Sequence, residues 1–391
     1  MRKKLILIAL TFSIILNGVF IYVYSKSFYK KIKAIALNDN PTQSTDILKN
    51  LVYHDAQDFA ILGRYHNEPN YNRLPIKYKD IVRKEVWNLS NNSSGLSIIF
   101  RTNSSNIGIR WKVKKNSTPS NMTKISANGI DLYCLKDGQW QYVNSGIPTG
   151  FESESLIISD MDTTHKDFML NLPLYDITEN IEIGVQSNAS IKKNELIRNT
   201  NSKPIVFYGT SITQGGSASR PGMNYPSIIS RNLNTEIINL GFSGNGRFEY
   251  SIGVALCDID SKLIVLDCTP NSHPDTIQNN VPKLLRQLRQ CKPQTPILII
   301  ESITREYAHF KISDSNVFGS YKFIERQNSE LRKAYVNAEN EGIKNIYYLE
   351  SANLIGIDHE GTVDGTHLND LGLSRIASKV QTKILEILDK E

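Results

Sequence analysis

Cysteine is scarce in this chain, and its placement excludes the usual metal frameworks. Cys134, Cys257, Cys268 and Cys291 form no Cys-x-x-Cys pair and have no histidine at finger spacing, so a zinc ribbon or finger is ruled out. Cys257 and Cys268 lie in or beside apolar runs and read as small buried hydrophobes. Spacing alone leaves a disulfide open, and with no cysteine near the start a lipoprotein is disfavoured. Internal repeats and low-complexity tracts are also missing. So is a basic surplus in the body of the chain: residues 1–33 hold seven of the 45 Lys/Arg and none of the 39 Asp/Glu, leaving 38 basic residues against 39 acidic. The net charge of +6 therefore belongs to the N-terminal stretch and marks no nucleic-acid groove.

One long hydrophobic run is present. Residues 1–24 open with Arg2, Lys3 and Lys4 and continue through about twenty uncharged, mostly apolar residues, the length of one bilayer-crossing helix. No Ala-x-Ala pattern follows, and Lys26, Lys30, Lys31 and Lys33 come directly after. An uncleaved membrane anchor is thus favoured over a removed signal peptide, and the body is expected to be exported, either anchored or secreted. Residues 25–48 are polar and lysine-bearing and read as a tether.

The remaining length suits two folded units, and a composition of 40% hydrophobic and 21% charged residues is that of a globular protein. Residues 49–196 carry short alternating runs, such as Gly95–Arg101 and Ile107–Val113, between Asn/Ser/Gly clusters. This is the pattern of an antiparallel β-sandwich. Residues 197–391 change rhythm, with apolar runs at 205–208, 236–240, 263–266, 297–300 and 346–349 separated by helical stretches. Five such strands predict a parallel α/β sheet covered on both faces. Residues 258–261 are expected as a loop, 279–292 as an amphipathic helix, and 370–388 as a terminal helix capped by Asn369 or Asp370.

Ligands of open α/β sheets bind beyond the carboxyl ends of the strands, and four strand-following or helix-preceding turns carry chemistry here. The first strand runs into Gly209-Thr-Ser211, a small-residue turn that presents a hydroxyl, although serine in that place often only caps a helix. It is not a Gly-x-Ser-x-Gly elbow, which speaks against an α/β-hydrolase. After the second strand, Gly241-Phe-Ser-Gly244-Asn-Gly246 either makes a tight turn or offers a backbone N–H to an oxyanion. After the third, Asn271 of Pro270-Asn-Ser is either a turn residue or an amide donor, and His273 is an alternative base or a plain loop histidine. Last comes Asp364-Gly-Thr-His367, where the carboxylate can orient the imidazole and leave Nε2 to take a serine proton. A capping loop or an Asp/His metal pair is the rival there, the latter without an evident third ligand.

Taken together, these four turns, over residues 203–391, resemble the SGNH/GDSL hydrolase family. The resemblance implies a flavodoxin-like three-layer domain in which Ser211 is the nucleophile, Asp364 and His367 are its proton-handling partners, and Gly244 and Asn271 complete an oxyanion hole with the Ser211 N–H. The first block reads Gly-Thr-Ser where Gly-Asp-Ser is usual, and the third reads Pro-Asn-Ser where Gly-x-Asn-Asp is usual. Upstream, Gly129-Ile-Asp131-Leu-Tyr133 looks like the GxDLY signature of a subgroup with an N-terminal, jelly-roll-like sandwich, and Tyr71-Asn-Arg-Leu-Pro75 looks like that domain's opening. From the residues alone, Asp131 reads as a turn and Tyr133 as a packed ring. The resemblance further implies a serine esterase with no metal or organic cofactor. It would act on short acyl, foremost acetyl, esters of carbohydrate; from the residues themselves, the apolar N-terminal segment is the one expected membrane contact, and the charge balance leaves no expectation of nucleic acid. Lysophospholipase or thioesterase, O-acyltransferase, and a glycan-binding protein with an inactive hydrolase half are the alternatives.

Overall fold

The structure, a computed structural model, describes residues 41–194 and 203–390. The expected anchor and the tether up to residue 40 lie outside the described residues. Where the tether was expected to continue, Pro41–Lys49 is a helix, and it belongs to a small unit distinct from the single compact unit formed from Val52 onward. Among the described residues, no helix is long and apolar enough to cross a membrane.

The first half of the compact unit is antiparallel. In chain order its strands are β1 (Leu51–Asp55), β2 (Ala60–Leu62), β3 (Ser97–Thr102), β4 (Ile107–Val113), β5 (Ile130–Lys136), β6 (Gln139–Gly146), β7 (Glu152–Ile158), β8 (Lys166–Asn171), β9 (Thr178–Gln186) and β10 (Ile191–Lys193). They form two sheets, β1-β9-β4-β7 and β10-β3-β8-β5-β6, with β2 added on β3. Strand alternation decides what each buries: in β4, Ile107, Ile109, Trp111 and Val113 are buried while Arg110 and Lys112 face water. These rings and aliphatics meet Ile98, Phe100, Phe168 and Leu170 of the second sheet in one core.

The second half is the parallel sheet, β11 (Ile205–Gly209), β12 (Ile237–Gly241), β13 (Leu263–Asp267), β14 (Ile297–Ile300) and β15 (Ile346–Leu349), in the order β12-β11-β13-β14-β15. Both faces are covered, so the strands are mostly apolar, with Asn239 of β12 and Asp267 of β13 as buried polar exceptions. Val206, Tyr208, Ile264 and Leu266 pack with helices Tyr250–Asp258, Pro274–Cys291 and Tyr321–Asn340. Ile205, Phe207, Leu263 and Val265 face helices Tyr225–Leu233 and Asp370–Leu388. The first half enters both cores: Leu74, Tyr78, Val82 and Val86 join one, and Leu174 joins the other.

Several local expectations change. The helix expected from residue 279 begins at Pro274, because His273 caps it and proline suits its first turn. Residue 258 ends a helix instead of opening a loop. Cys257 is no isolated hydrophobe: it is joined to Cys291 across a separation of 34 residues, while Cys268 is buried and free. Asp131 is a strand residue and not a turn. Its carboxylate, fully buried, accepts from Arg220 (2.7 Å), the Gly222 N–H (2.9 Å) and Asn171 Nδ2 (2.8 Å), and Arg220 also donates to the Tyr133 hydroxyl. The GxDLY residues thus tie the sandwich to the loop after Ser211.

One buried carboxyl sits beneath the site. Asp267, the last residue of β13, accepts from Thr213 Oγ1 (2.7 Å) and the Tyr225 hydroxyl (2.9 Å), and burial pushes its carboxyl up to about 6 despite those two donors. A carboxyl whose folded-state value lies above its unfolded one takes its proton first in the folded chain, so this group adds stability as pH falls from 7 towards 4.

Two outcomes follow from these buried groups. Asp131→Ala leaves Arg220 without its carboxylate and is expected to lower the unfolding free energy by about 3 kcal/mol in urea, whereas breaking the exposed Lys112–Glu152 pair costs under about 1 kcal/mol. Asp267→Asn is expected to lose the wild type's gain on acidification, so urea curves at pH 7 and pH 5 should show the wild type improving relative to the variant; parallel pH responses would contradict the assignment.

Candidate active site

Gly209 closes β11, and Thr210 caps a one-turn helix, Ser211–Gln214, by accepting from Ile212 N–H in a capping box completed by Thr213. The threonine of the unusual Gly-Thr-Ser block is thus a buried cap. Ser211 is the first residue of that turn and only 7% exposed. Its own N–H belongs to the set that a helix leaves without internal partners. The turn is packed backbone on backbone against the next loop: Phe242 N–H donates to Gly209 O (2.9 Å), and a Cβ on Gly246 would lie 2.0 Å from that carbonyl. No residue but glycine fits at position 246.

The last loop reaches the same place from 156 residues away. His367 Nε2 lies 3.0 Å from Ser211 Oγ, and its Nδ1 lies 2.8 Å from Asp364 Oδ2. The Asp364 Oδ1 accepts from the N–H groups of His367 (2.7 Å) and Thr366 (3.0 Å). Burial alone would raise this carboxyl, but the donors from His367 and Thr366 outweigh it and hold it at about 2. A carboxylate on Nδ1 fixes that nitrogen as N–H, which leaves Nε2 as the acceptor facing the serine. The loop is held by a bridge between Thr362 and Leu368, by Glu306 N–H to Gly365 O (2.9 Å), and by Tyr307 Oη to Thr366 Oγ1 (3.0 Å). His273, the rival base, is spent as a helix cap on Asp275 N–H.

Gly244 adopts a left-handed φ of 69° with open space where a Cβ would be. Asn271 sits across from it. With its carboxamide oxygen accepting from Gly244 N–H (3.2 Å) and Asn245 N–H (3.1 Å), Asn271 keeps its Nδ2 as a donor. In this orientation the Gly244 N–H already donates to Asn271. Among the described residues, no group of three His, Cys, Asp or Glu is placed to hold a metal ion.

The sequence reading missed what the first half brings. Arg73, fully buried, donates to the carbonyls of Asn239 (3.2 Å) and Gly241 (2.5 Å) at the end of β12, and to Asn92 O and Leu89 O. Arg83 holds Glu249 and the side chain and carbonyl of Asn245, gripping the Gly244 loop from its far end. Ser94 Oγ donates to Gln214 O (2.6 Å), and the Tyr175 hydroxyl, which burial pushes up to about 12, lies 3.5 Å from Ser211 O. Asn121 Nδ2 lies 3.1 Å from both Asp364 Oδ2 and His367 Nδ1. Only the Tyr71-Asn-Arg73 stretch carried a signal in the sequence; Asn121 stands in an Asn/Ser-rich run with none.

No curated protein matches the chain. The family model of the N-terminus of SGNH-hydrolase-type esterases, GxDLY, matches residues 51–191, and that of the GDSL-like lipase/acylhydrolase family matches 202–385. Among solved structures, a GDSL-like lipase from Bacteroides ovatus is 39% identical, with a TM-score of 0.82 over 87% of this chain and 98% of its own. A salicylyl-acyltransferase from a tetracycline biosynthetic pathway has a TM-score of 0.68 at 17% identity, over 87% and 98% of the two chains. An acetyl xylan esterase from the rumen bacterium Butyrivibrio proteoclasticus has 0.52 at 14%, over 87% and 99%. The last two share the fold. By its two family matches and its 39% identity to a solved relative, this chain belongs to the GDSL-like lipase/acylhydrolase family and is an enzyme of the SGNH hydrolase class.

Proposed function

We propose that the chain is a serine esterase that removes short acyl groups, acetyl foremost, from carbohydrate outside the cytoplasm. The observation that carries this reading is the unbroken hydrogen-bond chain from Ser211 Oγ through His367 to Asp364 at the carboxyl edge of the parallel sheet. Ser211 Oγ attacks the ester carbonyl carbon while His367 Nε2 takes its proton, and Asp364 steadies the imidazolium through Nδ1–H. The tetrahedral oxyanion accepts from the Ser211 N–H, from Asn271 Nδ2 and from the shared Gly244 N–H. Each such donor is worth roughly 10²- to 10³-fold in turnover. Collapse expels the alcohol, which His367 protonates, and water then attacks the acyl-enzyme with His367 again as base.

The acyl and alcohol halves rest on other support. Ser211 is almost covered, with His367 and the Tyr175 hydroxyl close about Gly216, which favours a small acyl group. Carbohydrate esterases, among them one from Clostridium thermocellum in complex with cellohexaose, share this fold. Export accords with the apolar run at residues 1–24 and with the Cys257–Cys291 disulfide, a bond that persists in oxidising compartments.

The test is hydrolysis of p-nitrophenyl acetate, butyrate and octanoate, and of acetylated xylan, by the full chain and by Ser211→Ala. The reading expects rates that fall with acyl length, acetate released from the polymer, and a loss of roughly 10³-fold or more in the variant. A preference for octanoate would make it a lipid or thioester hydrolase, product appearing on a sugar acceptor would make it a transferase, and activity that survives Ser211→Ala would remove Ser211 as nucleophile.

A further inference from the structure

The four lone-pair positions of the Asp364 carboxylate are all taken, and one is taken from the other half of the molecule. Oδ1 receives the backbone N–H groups of Thr366 and His367, and Oδ2 receives His367 Nδ1 together with Asn121 Nδ2. Asn121 is 243 residues from Asp364 in the chain. Its loop is pinned at both ends. On one side the buried Asp176 carboxylate accepts from Lys115 N–H (2.8 Å), Asn116 N–H (2.7 Å) and Asn128 Nδ2 (2.7 Å). On the other, Thr123 caps the helix Lys124–Asn128, and its hydroxyl donates to Ser219 O (2.6 Å), the contact that fixes the loop against the one that follows Ser211. Between them a turn closed by Met122 N–H to Pro119 O (3.0 Å) presents Asn121. Such a donor arrives already oriented, with little side-chain freedom left to lose.

We infer that Asn121 is a positioning residue of the catalytic apparatus, acting through Asp364: its amide N–H holds the carboxylate oxygen in line with His367 Nδ1. The inference rests on the Ser211–His367–Asp364 assignment. It has a consequence that simple structural support would not have. Asn121 Nδ2 is also 3.1 Å from His367 Nδ1. While Asp364 is present, Nδ1 carries the proton, and the Asn121 N–H goes to the carboxylate. With Asp364 removed, that same N–H finds the Nδ1 lone pair as its acceptor and favours the tautomer protonated on Nε2, which cannot take the serine proton. Asn121 therefore helps when Asp364 is there and hinders when it is not.

The experiment is a double-mutant cycle in the full chain, with kcat and KM for p-nitrophenyl acetate measured for wild type, Asn121→Leu, Asp364→Ala and the double variant, with Asn121→Ala as a second form and urea midpoints as a check on folding. In the wild-type background, loss of a hydrogen bond to a charged group is expected to lower kcat about tenfold with KM unchanged. In the Asp364→Ala background, the same change is expected to leave kcat unchanged or raise it. An equal loss in both backgrounds, no loss in either, or a change carried by KM would overturn the inference while leaving the nucleophile intact. Activity that survives both Ser211→Ala and Asp364→Ala would instead bring down the assignment on which it rests.

Discussion

The whole site depends on one constraint: a loop at residue 367 must be held within hydrogen-bonding distance of a helix start at residue 211, so that Nε2 and Oγ stand 3.0 Å apart. Neither loop can do this alone. The loop after Ser211 is tied to the beginning of the last helix, where the Asp370 carboxylate accepts from both the Ser219 N–H (2.9 Å) and the Ser219 hydroxyl. The last helix lies against the sheet through Leu373, Ile376, Val380 and Ile384, all buried in the core that also contains Phe207 and Ile212. Burial of that apolar face gives the geometry its stiffness, since moving His367 away from Ser211 would mean shifting a packed helix.

A second set of contacts explains why the antiparallel half stays with the parallel one. Arg73 has no carboxylate partner among the described residues; it is buried whole, stacked on Phe242, and satisfied by four backbone carbonyls, two of them at the end of β12. A guanidinium so enclosed is costly without every one of those acceptors, and burial accordingly lowers its affinity for its proton. The arrangement makes the sandwich's opening segment a brace for the very strand whose following loop carries Gly244. Asp131 with Arg220 plays the same part for the loop that follows Ser211. The sandwich thus does more than sit beside an independent hydrolase.

What could be read in the sequence was what is local. The five parallel strands are covered on both faces and mostly apolar, so runs such as Leu263-Ile-Val-Leu266 stand out without any knowledge of their neighbours. Ser211, Gly244, Asn271, Asp364 and His367 each follow a strand or precede a helix, where chemistry collects, but it is their order along the chain, which resembles the four blocks of the SGNH/GDSL family, that singles them out as a set. The side-chain contacts between halves could not be read, because they depend on which loops meet in space. Asn121 resembles any surface asparagine until its loop is folded against Asp364. Asp131, in a Gly-x-Asp pattern, looks like a turn until β5 and Arg220 enclose it. The pairing of Cys257 with Cys291 needs the helices Tyr250–Asp258 and Pro274–Cys291 to lie side by side. The helix start at Pro274 was hidden because proline reads as a breaker before it reads as a first-turn residue.

The central claim is that Ser211 is an activated nucleophile, and covalent capture tests it most directly. The full chain would be incubated with a fluorophosphonate, and the adduct located by peptide mass analysis. The account predicts a single adduct on Ser211 that disappears in His367→Ala. Modification of another residue, or labelling of Ser211 at an undiminished rate without His367, would contradict it.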